Sequence, residues 1–187
     1  MTEYLYQNFN VKPVVIVKHP ISFISSLKRV NWWPSPSEIF DQPELIDDFF
    51  QEDLNFVNQQ WPDQLSQSAA FWRSVYKVLW KQSQKYSDWH FITHENLSQY
   101  PVETFRNLYN LTDLPWSKRI EKKILNLTSS RVSSQARKGK VQDFKRNSAD
   151  IFKHSLRQLD LEERKRVFDI TQDIASQFYT KDSFAID

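Results

Sequence analysis

Glycine is almost missing: Gly139 is the only one in 187 residues, where the usual share of about 7% would supply roughly a dozen. That scarcity excludes the Gly-rich phosphate loops GxxxxGK[ST] and GxGxxG, each of which needs at least two glycines. Cysteine is absent, which removes disulfides, thiolate metal sites and cysteine nucleophiles. No apolar run approaches 18 residues, so no membrane span is expected. The opening MTEYLYQNFN lacks the charged-then-apolar pattern of a signal peptide, and the expected location is cytoplasmic. Without an export signal, the N-x-S/T triplets at Asn96, Asn110 and Asn126 read as chance. A formal charge of +2 is nearly balanced and speaks against a general nucleic-acid binder, which needs a strongly basic domain.

What is present argues for a packed fold. Hydrophobic residues make up 40% and aromatics 15%, with seven tryptophans, a composition opposite to that of disordered chains. The length fits one ordinary domain with a sizeable core. Positive charge is concentrated: Arg131 to Arg146 holds six Lys or Arg against the single acid Asp143.

KPVVIVK, residues 12–18, is a short apolar run bounded by Pro13 and Pro20, suited to a strand buried on both faces. Pro20 then stands well as the first residue of a helix. Further helices are expected over Pro43–Val57, Ser66–Trp80, from Pro101, over Trp116–Leu127 and after Asp160. On the second of these Ala70, Phe71, Val75, Val78 and Leu79 form the expected apolar stripe. Asp160 and Glu163 have the spacing of a capping box. Trp89–Thr93 is the second strand candidate. Residues 128–148 lose periodicity and read as a long basic loop, a length that often marks a lid or binding loop.

Two stretches carry chemistry. The strand–turn–helix sets Lys18 and the hydroxyls of Ser22, Ser25 and Ser26 near a helix N-terminus, where free N–H groups attract phosphate or sulfate. The plain alternative is a solvated helix start. In RKGKVQDFKR, Arg137, Lys138 and Lys140 surround Gly139, an arrangement able to clamp an anion with close backbone approach. The plain alternative there is a solvated basic loop. Of the histidines, His19 reads as a turn residue, and His90 and His154 as packing or surface residues. No pair has metal-ligand spacing.

Taken together, VVIVKHPISFISS, ITHENLSQYP and ARKGKVQDFK resemble three motifs of sulfotransferases that use 3′-phosphoadenosine 5′-phosphosulfate (PAPS). In that family an apolar strand leads into R-x-P-x₅-S, and Lys18, Pro20 and Ser26 hold the matching positions. Lys18 replaces the usual arginine, keeping the charge without the bidentate fork. His94 stands where a tyrosine often lies near the adenine, with Glu95, Leu97 and Pro101 matching the same motif; Glu95 reads as structural. The late loop of the family is R-K-G-x-x-x-D-W-[KR], matched with phenylalanine for tryptophan.

The resemblance implies a mostly helical, incomplete P-loop-type α/β domain over 1–187 with about two parallel strands. Its cofactor would be PAPS, leaving adenosine 3′,5′-bisphosphate as product. Lys18, Ser26, His94, Arg137, Lys138 and Gly139 would bind it, and residues 128–148 would cover it. The implied reaction moves a sulfuryl group to a hydroxyl or amine of a small-molecule or glycan acceptor, whose pocket would draw on Trp32–Phe50 and Trp72. The family's Gly-rich 5′-phosphosulfate loop and catalytic base precede this region, and Lys18 has only 17 residues before it. The expectation is therefore a truncated, split or degenerate relative whose catalytic residues lie upstream of residue 1. The rival reading is an inactive remnant or a helical interaction module completed by a partner chain that supplies the missing strands.

Overall fold

The computed structural model describes residues 2–9, 11–39, 41–128 and 150–186. Over the described residues the protein is mostly helical, with one two-stranded parallel sheet. Contacts divide the chain into two compact units, Met1–Lys18 with Asp88–Arg157, and His19–Ser87 with Gln158–Asp187.

In the first unit, β1 (Val14–Val17) pairs in parallel with β2 (His90–Thr93), Val14 facing His90 and Val17 facing Thr93. Around them lie the helices α1 (Thr2–Asn8), α6 (His94–Gln99), α7 (Pro101–Leu111), α8 (Lys118–Thr128) and α9 (Ile151–Leu156). Tyr6 ties α1 to the foot of β2. Its hydroxyl donates to Asp88 Oδ1 at 2.6 Å, and its ring meets Trp89 edge-on. Lys12 bridges Asp113 and donates to the Leu111 carbonyl, joining the approach to β1 with the end of α7.

The expectation of a strand buried on both faces holds for Val17 but fails at Ile16, which is 51% exposed. A parallel strand is fully covered only when strands and helices flank it on all sides; among the described residues β2 is the one strand hydrogen-bonded to it. On α7, Val102, Phe105, Leu108 and Tyr109 are each only half-buried.

The second unit holds most of the fully buried apolar residues. It contains α2 (Pro20–Val30), α5 (Gln64–Ser83) and α10 (Leu161–Ala175), which pack on one another. Asn31 closes α2 in the left-handed region at φ 52°, a conformation asparagine tolerates. Asp160 and Glu163 form the expected capping box on α10, worth about 1 kcal/mol.

The buried side of α5 differs from the predicted stripe. Ser66, Ala69, Ala70, Trp72 and Ser74 are buried, while Val75 is exposed. Small residues let neighbouring helix backbones approach closely, so packing turned this face inward although its hydropathy is low. The helix expected over Pro43–Val57 is broken into α3 (Pro43–Leu45), a π turn (Ile46–Phe50), a 3-10 turn (Gln51–Asp53) and α4 (Leu54–Val57). A π turn carries an extra residue and shifts the side-chain phase. Phe50 thereby joins Ile39 and Val57 in a cluster against which Ile46 and Phe49 pack.

Arg73 is a buried charge on α5. Its Nε and Nη2 grip Asp173 at 2.9 and 2.6 Å, and Nη1 reaches Asp53 at 2.9 Å. Lys77 completes the network at 2.7 Å from Asp53. Burial pushes the Asp53 carboxyl up, but Lys77 and Arg73 together outweigh it and hold the group below its ordinary range.

Candidate functional site

β1 ends at Val17, and Lys18 and His19 form the turn into α2, which Pro20 opens. The predicted strand–turn–helix is therefore present. Lys18, half-buried, closes the first part of the first unit, and Ser26 lies one and a half turns into α2 in the second unit. Ser26 Oγ donates to the Ser22 carbonyl at 2.8 Å along the helix.

The turn histidine has a specific role that the sequence reading missed. His19 is completely buried and N-caps α2: the Ile21 N–H donates to its Nδ1 at 3.2 Å. Because Nδ1 accepts, the neutral ring carries its proton on Nε2, which faces Ser183 Oγ at 3.0 Å. Ser183 in turn donates to the Thr180 carbonyl at 2.5 Å. The ring also packs against Tyr179 and Phe184, with centroids 4.6 and 4.4 Å away. Desolvation lowers its pKa from 6.5 to about 3, so His19 is neutral at physiological pH. Its sequence signal was slight, a His-Pro pair at a helix start.

The mouth of α2 is thus partly satisfied by its own cap. One group there is not. Ser22, 1% exposed, has an Oγ without a hydrogen-bond partner among the described residues. A shielded hydroxyl left unpaired costs about 1–3 kcal/mol. An oxygen able to pair with this hydroxyl would relieve that cost.

His94 opens α6 directly after β2, with Thr93 as the N-cap accepting from the Asn96 N–H at 3.2 Å. Ser98 Oγ lies 3.5 Å from its Nδ1. With Glu95, Ser98, Ile151 and Phe152 it lines a cavity of about 70 Å³ in the first unit, the volume of a couple of water molecules. Arg137, Lys138 and Gly139 lie outside the described residues, as does the basic loop apart from Thr128. Trp72, considered for an acceptor pocket, is instead shut into the core at 1% exposure beside Tyr76, while Trp32 is exposed.

Among the described residues no three of His, Asp or Glu gather so as to hold a metal ion, and no helix is long and apolar enough to cross a membrane. Compared with protein-family models, curated proteins and solved structures, the chain has no match.

Proposed function

We propose that this chain is the 3′-phosphate-binding part of a PAPS-dependent sulfotransferase of P-loop type. The observation that carries the reading is the order strand, turn, helix, with β1 ending at Val17, Pro20 opening α2, and the buried Ser22 hydroxyl in the first turn of that helix having no partner among the described residues. The parallel pairing of β1 with β2 supports it, because β2 runs directly into the second resembling motif at His94.

In this reading Lys18 supplies charge to the 3′-phosphate, and Ser26 turns its hydroxyl from the Ser22 carbonyl toward the same oxygens. Arg137, Lys138 and Gly139 close from the basic loop, and His94 contacts the base. PAPS, when bound, supplies the sulfuryl group for transfer to a hydroxyl or amine. His19 takes no proton in that reaction: its Nδ1 is committed to the α2 cap and its ring is shut from solvent. Its part is to hold the turn rigid.

A thermal-shift comparison of the full chain tests this. Adenosine 3′,5′-bisphosphate should raise the melting temperature of the parent protein, and Lys18→Ala or Lys138→Ala should abolish the shift. An equal response in parent and variants would overturn the assignment.

A second reading, an interaction module completed by a partner chain, has an observation of its own. Of the described apolar residues in the first unit only Val17 and Trp89 are buried, whereas Leu111, Leu114, Leu125 and Leu127 are exposed. Two parallel strands are also fewer than an independently stable sheet needs. Partner strands added to this unit would cover such surface, and the two readings are compatible.

A further inference from the structure

The second unit contains a cleft of about 800 Å³ that none of the readings above uses, within the range of about 300–1,000 Å³ typical of small-molecule sites. Its apolar wall includes Phe56, Trp61, Phe168, Tyr179 and Phe184. Polar residues of α10 and the segment following it also line the cleft, among them Asp169, Gln172, Asp173 and Ser176. The aromatic residues are held by neighbours. The Arg73 guanidinium lies 3.8 Å from the centre of the Phe56 ring, and Phe56 meets Trp61 edge-on at 5.1 Å. Tyr179 and Phe184 both back onto the buried His19 ring.

Two features define what would fit. The first is charge. The lining cations Arg73 and Lys181 are matched by the lining anions Asp169 and Asp173. Arg73 is moreover taken up on three sides by Asp53, Asp173 and the Phe56 face. An ionic ligand finds no net attraction there and would lose hydration on binding. The second feature is an unmet donor. Trp61 Nε1 is shielded from solvent and has no acceptor among the described residues. A ligand that shifts this ring and offers an oxygen removes the cost of that unpaired N–H.

We infer that the cleft between α10 and the Phe56–Trp61 segment binds an uncharged, flat aromatic molecule carrying a hydrogen-bond-accepting oxygen, which pairs with Trp61 Nε1. The inference does not rest on the nucleotide reading, and its test uses no nucleotide.

The probe is 2-naphthol, titrated calorimetrically into the full chain, with naphthalene, 2-naphthoate and a naphthylmethyl-ammonium salt as comparisons. Saturable binding of 2-naphthol ahead of all three comparison compounds is expected. Trp61→Phe, which keeps a ring but loses the donor, should weaken 2-naphthol roughly fivefold, as loss of one neutral hydrogen bond implies, and leave naphthalene unchanged. Ser176→Trp places a large side chain in the cleft from an exposed position at the end of α10 and should abolish binding. Circular dichroism and a urea midpoint establish that both variants fold. If either charged probe binds best, the ligand class is wrong. If 2-naphthol fails to bind, or binds Ser176→Trp as well as the parent, the cleft is not a site.

Discussion

Replacing His19 with asparagine should flatten the dependence of stability on pH between 7 and 5. The unfolded chain protonates this imidazole at the ordinary value of 6.5, whereas in the folded chain desolvation delays protonation until about 3. Between those values the unfolded state carries the additional proton, so the free energy of unfolding falls as the pH falls. The loss begins as pH drops through 6.5 and is complete near 3. At 1.36 kcal/mol per pH unit, the step from pH 7 to pH 5 removes about 2 kcal/mol. For a chain of this size that is a fall of roughly 4–8 °C in melting temperature. Asparagine can accept from the Ile21 N–H as an N-cap, so α2 keeps its start while the titrating group disappears. Its smaller side chain leaves space beside Tyr179 and Phe184, which lowers stability at every pH alike. Urea unfolding of parent and His19→Asn at pH 7, 6 and 5 is the assay, and the difference in slope is the quantity read. Depressed carboxylates such as Asp53 and Asp63 act below this window, since they lose their contribution as pH falls through folded values lower than 3.8. Parallel pH profiles for the two proteins would refute the assignment of His19 as a buried neutral cap.

Arg73→Ala should cost about 3 kcal/mol in urea unfolding, because it leaves the shielded Asp53 carboxylate with Lys77 alone as its ion-pair partner among the described residues; a loss below 1 kcal/mol would mean that the network contributes little. Asp160→Ala should cost about 1 kcal/mol by removing the capping box of α10, and an unchanged urea midpoint would contradict that. Ser22→Ala should leave the ligand-free protein as stable or more stable by up to about 1 kcal/mol, since it removes an unpaired hydroxyl, while weakening adenosine 3′,5′-bisphosphate. Loss of stability together with unchanged nucleotide binding would assign Ser22 to packing instead.

Elements marked by punctuation were legible in the sequence. Pro13 and Pro20 bracket β1 and open α2, and Asp160 with Glu163 marks α10. Where packing overrode hydropathy, the reading failed. The inward face of α5 is built on serine and alanine, and the π turn at Ile46–Phe50 rephases an apparently regular stripe. The strand–turn–helix around Lys18 and Pro20 was legible because its residues are close in the chain. The importance of His19 was not, because it depends on Tyr179, Ser183 and Phe184, which lie about 160 residues further along the sequence. The same holds for Arg73, whose acids stand 20 and 100 positions away, and for the cleft, whose walls come from both ends of the second unit.

The most direct test of the central claim is calorimetric titration of the full chain with adenosine 3′,5′-bisphosphate and, separately, adenosine 5′-phosphate. The two ligands differ only in the 3′-phosphate that Lys18, Ser22 and Ser26 are proposed to hold. Saturable binding of the bisphosphate, at least tenfold tighter than the monophosphate as about 1.4 kcal/mol from the added charge-assisted contacts implies, is the predicted result. Equal affinities for both, or no binding of either, would contradict it.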